Sequence, residues 1–441
     1  MHAATVIIKG ESNAPNQMVR VIIQKDYVSY LEQTLANSKT DSQGKFELHI
    51  DIEQITSVQI ALGLDRAEIV LKPGSTYRFK ISQPKNGAST SYFEKESIQL
   101  IVLESNDGGI QKQIDDINMI FNAFVMQHFN DLYHNRRVDL LDSLKQAIDV
   151  RLPAKVDGFV TDYNTFKQAT LLQTVRSRSS DQWIKNMFFG KPIVYSNPEY
   201  MNLVNEVFRD YFISNRRYQS EALKQAMESS LTGFVGYITN NLLFNNQPQF
   251  CELVCLLNLR DLYFNVEYDK ERILNLLNQF QQQSLFAEHK QMAANIILEV
   301  KYLEYKSVAP AFQLKNAANK VVSGEQLKGK GILLNFIQDS CQACLSGLND
   351  MKNLYDSFKE DYTFITISTA DGFNNSAKYF KNNNLNWMLF NLGEDILMLE
   401  AYRVKTFPEY IILLKDGTIG MAPAPQPGQN LVYHLNRLRR Q

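Results

Sequence analysis

Cys341 and Cys344 are two thiols separated by Gln342 and Ala343, placed where one kind of sequence pattern gives way to another. Ahead of them runs Ile332-Leu333-Leu334-Asn335-Phe336-Ile337, a short apolar stretch of β type. Behind them Leu345, Leu348, Met351, Leu354, Tyr355 and Phe358 recur at helical spacing. The pair therefore falls at a predicted strand-to-helix junction. At a helix N-terminus, unpaired N–H groups and the helix dipole stabilise a thiolate. That matters for a nucleophile, because an ordinary cysteine of pKa ~8.5 is only a few per cent thiolate near neutral pH. The C-x-x-C spacing also serves zinc and plain packing, so the surroundings must decide.

Other residue types that could do chemistry are poorly placed. His128 and His134 fall on different faces of a predicted helix, and no further histidine or cysteine stands at metal-ligand spacing, so no metal site is expected. Cys251 and Cys255 lie one helical turn apart among Leu253, Val254, Leu256 and Leu257, the setting of buried packing. Their expected Cβ separation of ~5–6 Å exceeds what a disulfide wants. Gly324 to Lys330 fits G-x-x-x-x-G-K, yet Gly331 follows where serine or threonine is needed, and the stretch precedes a strand instead of following one. A phosphate loop is rejected, and no cofactor is expected.

The bulk properties narrow the class. A chain of 441 residues is long enough for two or three domains, each with its own core. With 46 basic and 47 acidic residues the net charge is −1, which argues against nucleic acid as the main partner. No apolar run approaches the ~20 residues of a membrane helix. No signal peptide is read at the start of the sequence, and this says nothing of export, because an exported protein also lacks one in its mature form. Four cysteines do not make a disulfide scaffold in so long a chain.

Three textures follow one another, and we place domains at 1–105, 106–306 and 307–441. The first is β: Val6 to Ile8, Met18 to Ile23, Phe46 to Ile50 and Tyr77 to Ile81 are short strand-like runs with polar turns between them, as in a β-sandwich. Asn106-Asp107-Gly108-Gly109 ends that pattern. Ile110, Ile114, Ile117, Phe121, Phe124, Val125, Phe129 and Leu132 then predict one long amphipathic helix. Similar stretches at Val138–Val150, Glu199–Ser214, Ser220–Thr239, Phe250–Phe264, Lys270–Gln283 and Phe286–Tyr305 predict an irregular α-helical bundle. From Ala309 strands and helices alternate: Ile332–Ile337, Tyr362–Ser368, Trp387–Asn391 and Tyr410–Leu414 against Leu345–Phe358, Asn375–Asn382, Asp395–Ala401 and Gln429–Arg440. That is the pattern of a small mixed α/β sheet covered on both faces.

In this order the last segment resembles a thioredoxin-fold domain of the TlpA/ResA type, a family of exported bacterial thiol–disulfide oxidoreductases. Ala309-Pro310-Ala311-Phe312-Gln313-Leu314 resembles the family's opening A-P-x-F-x-L, and Leu327-Lys328-Gly329-Lys330 leads into the first core strand. Cys341 and Cys344 follow that strand. Thr406-Phe407-Pro408 stands where the family places its cis-proline loop, and Lys415-Asp416-Gly417-Thr418 resembles the hairpin turn beyond it. The resemblance implies Cys341 as the attacking thiolate and Cys344 as the shielded resolving thiol. Pro408, if cis, would set a backbone edge beside the sulfurs, and the Phe407 backbone could pair with an extended substrate strand.

Three departures from the family, and one position that differs from thioredoxins proper, bear on mechanism. Ser340 replaces the family's usual tryptophan, Gly347 the glutamate just after the second cysteine, and Glu409 the threonine after the proline; Asn335, common in this family type, stands where thioredoxins proper carry a buried acid. Asp339 and Glu409 are the nearest substitutes for proton handling, and either carboxylate close to Cys341 would raise its pKa. A peroxiredoxin is excluded, since Phe336-Ile337-Gln338-Asp339-Ser340 lacks the required proline and threonine. The expectation is thus a multidomain protein, β-sandwich, then helical bundle, then thioredoxin fold. The resemblance implies a periplasmic or cell-envelope location, with a lipid anchor on the native N-terminus as one way of holding it there. It also implies protein thiol or disulfide substrates and a separate redox partner, with reduction favoured over oxidation. The competing expectation is a non-catalytic envelope binding or scaffold protein with a vestigial thioredoxin site.

Overall fold

A computed structural model describes residues 3–63, 65–82, 98–176, 180–215, 218–240, 247–338, 341–370, 372–393 and 395–440. They fall into two compact units, one ending at Val300 and the other beginning at Lys301.

The first unit opens with eight strands: β1 (Ala4–Ser12), β2 (Met18–Gln24), β3 (Glu32–Lys39), β4 (Lys45–Ile52), β5 (Thr56–Leu62), β6 (Asp65–Leu71), β7 (Thr76–Ser82) and β8 (Gln99–Ser105). They form two four-stranded sheets, ordered β4-β1-β7-β8 and β3-β2-β5-β6. Alternation decides which side chains meet. In β4, Phe46, Leu48, Ile50 and Ile52 are buried while Lys45, Glu47, His49 and Asp51 face solvent. Val6, Ile8, Val19, Val21, Ile60 and Phe79, from both sheets, share one core. The sheet region ends at Asp107, whose buried carboxylate accepts from Ser105 Oγ, Gly109 N and Gln111 N at 2.9, 2.8 and 3.0 Å. Gly108 and Gly109 have φ of 78° and 81°, so glycine is what lets the chain turn into the first helix there.

The helical stretch is more broken than its periodicity predicts. The expected long helix from Ile110 is two, Ile110–Gln127 and Phe129–Tyr133, interrupted at His128. Glu199–Ser214 divides at Asp210, whose φ is 52°, and Ser220–Thr239 divides where Ser230 Oγ caps Leu231–Thr239. Apolar spacing persists across such breaks, so period alone does not reveal them. Helices Gly158–Arg176 and Asp181–Phe188 were not anticipated. In the first of these, buried Val160, Tyr163, Ala169, Leu171 and Val175 are interleaved with threonine and glutamine, which blurs the apolar stripe. Pro248–Leu262 lies at the centre, with Cys251 and Cys255 free and fully buried.

The second unit is a seven-stranded mixed sheet made of β9 (Gln313–Asn316), β10 (Val321–Ser323), β11 (Gly331–Ile337), β12 (Tyr362–Ser368), β13 (Met388–Asn391), β14 (Glu409–Leu413) and β15 (Ile419–Ala424), ordered β10-β9-β13-β12-β11-β14-β15. The central β11, β12 and β13 are parallel and joined by helices Gln342–Phe358 and Phe373–Asn382; the outer strands are antiparallel. Every residue of β11 is buried, as expected for a central strand covered on both faces. Leu348 and Met351 from the first helix, and Leu431 and Leu435 from Leu431–Leu438, pack on one face with Leu333, Phe364 and Ile412. The sheet therefore holds the end of β11 and the start of Gln342–Phe358 in fixed relation, which is the junction that carries the cysteines.

Candidate functional site

Cys341 is the N-cap of helix Gln342–Phe358, and Cys344 lies in its first turn. The Cys344 backbone N–H donates to Cys341 Sγ at 3.1 Å, so the sulfur occupies the position in which a serine or aspartate oxygen ordinarily caps a helix. The two sulfurs are joined as a disulfide, with Cα atoms 5.2 Å apart. Cys341 is partly exposed, while Cys344 is fully buried. Of the two, only Cys341 has any exposure to solvent, and the N–H groups of the first turn favour charge on its sulfur once the bond is opened.

The Phe407–Pro408 peptide bond is cis. The loop brings the Phe407 carbonyl oxygen to 3.8 Å from Cys341 Sγ, so the two sequence-predicted parts of the site, 66 residues apart, meet at this sulfur. Phe407 is partly exposed and Pro408 buried. Beyond the proline, Glu409 is half-buried and its Oε2 accepts from Thr406 Oγ1 at 3.2 Å. Burial pushes the Glu409 carboxyl above the usual carboxylate range, and the Thr406 hydrogen bond offsets part of that. Asp339 and Ser340 lie outside the described residues.

Gly347, one turn after Cys344, is where the sequence departs from the expected glutamate. A Cβ at that position would stand 2.2 Å from the hydroxyl of Tyr410. The volume next to the helix backbone is thus filled by a phenol from β14, and glycine is required for its close approach. Tyr410 is opposite Asn335 in the β11–β14 ladder. Asn335 is fully buried and its Nδ2 donates to Met351 Sδ at 3.3 Å. Neither Asn335 Oδ1 nor Tyr410 Oη has a hydrogen-bond partner among the described residues. Tyr410 was not foreseen as a site residue. The one signal for it was a glycine inside a helix with no turn to explain it, which marks close approach by something else.

Among the described residues no cluster of three His, Cys, Asp or Glu side chains stands ready to hold a metal ion, and no helix is long and apolar enough to cross a membrane.

A family model described as "Thioredoxin-like" matches residues 329–419, the stretch that holds β11, the cysteine pair and the cis-proline loop. The chain is similar to thiol-disulfide oxidoreductase ResA of Bacillus subtilis, with 27% identity over 114 residues covering 26% of this chain and 63% of that protein. It is also similar to ResA of Bacillus thuringiensis subsp. konkukian, with 29% identity over 119 residues covering 26% of this chain and 68% of that one. Among solved structures, the thioredoxin domain of a thiol-disulfide oxidoreductase from Bacteroides vulgatus aligns at 26% identity and a TM-score of 0.28, covering 30% of this chain and 96% of that domain. The C-terminal part of this chain therefore carries a thioredoxin-like domain, similar in sequence to the ResA thiol-disulfide oxidoreductases.

Proposed function

We propose that the protein exchanges disulfides with protein thiols in the bacterial cell envelope, working through Cys341 and Cys344 in the direction of substrate reduction. The observation that carries this reading is the pair itself: a disulfide whose outer sulfur caps a helix and accepts the Cys344 N–H. The Cys341 thiolate attacks a substrate disulfide, forming a mixed disulfide and expelling one substrate thiolate. The Cys344 thiolate then attacks the Cys341 sulfur, expelling the second substrate thiolate and closing the Cys341–Cys344 bond. The substrate gains two electrons and the pair loses two, so a partner dithiol must reopen the pair for the next cycle.

Phe407 and Pro408 offer the edge on which an extended substrate segment lies, and Asp339, two residues before Cys341 in sequence, and Glu409, next to Pro408, are the carboxylates assigned to proton handling in this scheme. An oxidising compartment suits a chain whose working state alternates with a disulfide, and a lipid anchor on the native N-terminus would hold it at the envelope. The sandwich, the helical region and the thioredoxin unit act in this reading as separate domains.

Reduction of insulin by the full chain, with Cys341→Ala as control, tests the activity. The wild type should accelerate it and the variant should fall to the uncatalysed rate, while Cys344→Ser should accumulate mixed disulfides with its substrates. A wild type no faster than Cys341→Ala would leave the thioredoxin unit as a scaffold.

A further inference from the structure

The Tyr410 hydroxyl has no evident purpose in the disulfide state. The residue is 1% exposed, its Oη has no hydrogen-bond partner among the described residues, and it presses on the backbone at Gly347. Burying an unpaired hydroxyl is costly, and phenylalanine would fill the same volume with no polar atom to satisfy. Asn335, opposite it in the ladder, also keeps a buried unpaired oxygen on the side facing the cysteine-bearing helix. Buried polar atoms are ordinarily hydrogen-bonded, so each of these oxygens calls for an explanation. One member of the surrounding core changes with redox state. Cys344 precedes Gly347 by three residues, on the same side of the helix, and belongs to the same buried cluster as Tyr410. In the disulfide its sulfur is bonded to Cys341. Once reduced, it becomes a fully buried thiol or thiolate in need of a donor.

We propose that Tyr410 is a positioning residue for the resolving cysteine: its hydroxyl donates a hydrogen bond to the Cys344 sulfur in the reduced state and has no partner in the oxidised one. No proton is handed over. Burial raises the phenol far above its ordinary value, with Asp350 adding to the shift, so Oη keeps its hydrogen and acts as a donor throughout the working pH range. Opening the disulfide takes two electrons from the partner dithiol; the hydroxyl holds the resulting Cys344 thiolate until it attacks the Cys341 sulfur. The bond favours the reduced pair, which makes the couple more oxidising than the same site with phenylalanine.

This rests on the redox reading above, and the test separates the two. The full-length chain and Tyr410→Phe are equilibrated with glutathione buffers, and the dithiol's thiolate absorbance is followed against pH. In the variant the equilibrium should move toward the disulfide by about tenfold, about 30 mV. The thiolate fraction of Cys344 should fall by a similar factor, about one pH unit. Thermal melts supply the readout that a merely structural hydroxyl would not give: Tyr410→Phe should melt no lower than wild type when oxidised, but lower when reduced. Equal loss in both forms with an unmoved equilibrium means that the hydroxyl is bonded in both states, and overturns the proposal while leaving the redox pair intact. A wild-type pair that fails to equilibrate with glutathione overturns the redox reading and this inference together.

Discussion

Glu409 shows how the residue scale can be tested on its own. Its carboxyl is pushed up chiefly by burial, so the folded protein holds that proton more tightly than the unfolded chain does. The stabilising contribution is therefore fully present below the unfolded carboxylate pKa and is lost as pH rises through the folded value. Near pH 7 the ionised group is a small liability, reduced by solvent at a half-exposed site. Glu409→Gln should thus raise the melting temperature near pH 7 and leave it unchanged at about pH 3, where the wild-type carboxyl is already neutral. A gain of the same size at both values would show that charge is not the cause. At this scale the sulfur pair was readable from local spacing, since a helix N-cap is written within a few residues. The Gly347–Tyr410 contact was not, because it joins two elements 63 residues apart and depends on the register of β14 against β11.

At the scale of elements, that same contact couples helix Gln342–Phe358 to β14. Glycine inside a helix is ordinarily worse than alanine by ~0.5–1 kcal/mol. Here a Cβ would collide with the Tyr410 hydroxyl at 2.2 Å, whereas the ring carbon behind it is 3.6 Å away. Gly347→Ala should therefore cost about 1–3 kcal/mol in the Tyr410 background through overpacking. In the Tyr410→Phe background it should be neutral or stabilising. Denaturant unfolding of the four oxidised proteins measures the coupling, and additive effects would show that Tyr410 swings aside freely. Elements with strong apolar runs, such as β11 and β12, were legible within one residue. Polar strands were not: β3, an edge strand with its mostly exposed Glu32–Lys39, and β9 at Gln313–Asn316, paired between β10 and β13, are held by backbone pairing to neighbours, which leaves little trace in side-chain type. The helix breaks at His128, Asp210 and Ser230 escaped for a related reason, since apolar periodicity continues on either side of them.

At the scale of the whole molecule, the order of textures was legible because composition and period change together near Asp107 and again near Ala309. The finer limits of the units depend on long-range pairing. The stretch just before Ala309 is tied to the far end of the same unit: Lys306 N donates to Ile419 O at 2.7 Å, Ile419 N donates to Ser307 O at 2.8 Å, and Tyr302 Oη donates to Ala401 O at 2.6 Å. Arg403 stacks on the Tyr302 ring at 4.5 Å. All seven strands and the buried cluster beneath the cysteines come from residues after Val300. A fragment beginning at Lys301 should therefore fold by itself, unfold cooperatively and keep the dithiol equilibrium of the full chain. A fragment beginning at Ala309 would bare the outer edge of β15 and lose the Tyr302 contacts, and should be less stable by about 1–3 kcal/mol, the worth of a few net hydrogen bonds. Urea unfolding of the two fragments compares them directly. Equal midpoints would mean that residues 301–308 only link the units, and failure of the longer fragment to fold would mean that the thioredoxin unit draws its stability from the rest of the chain.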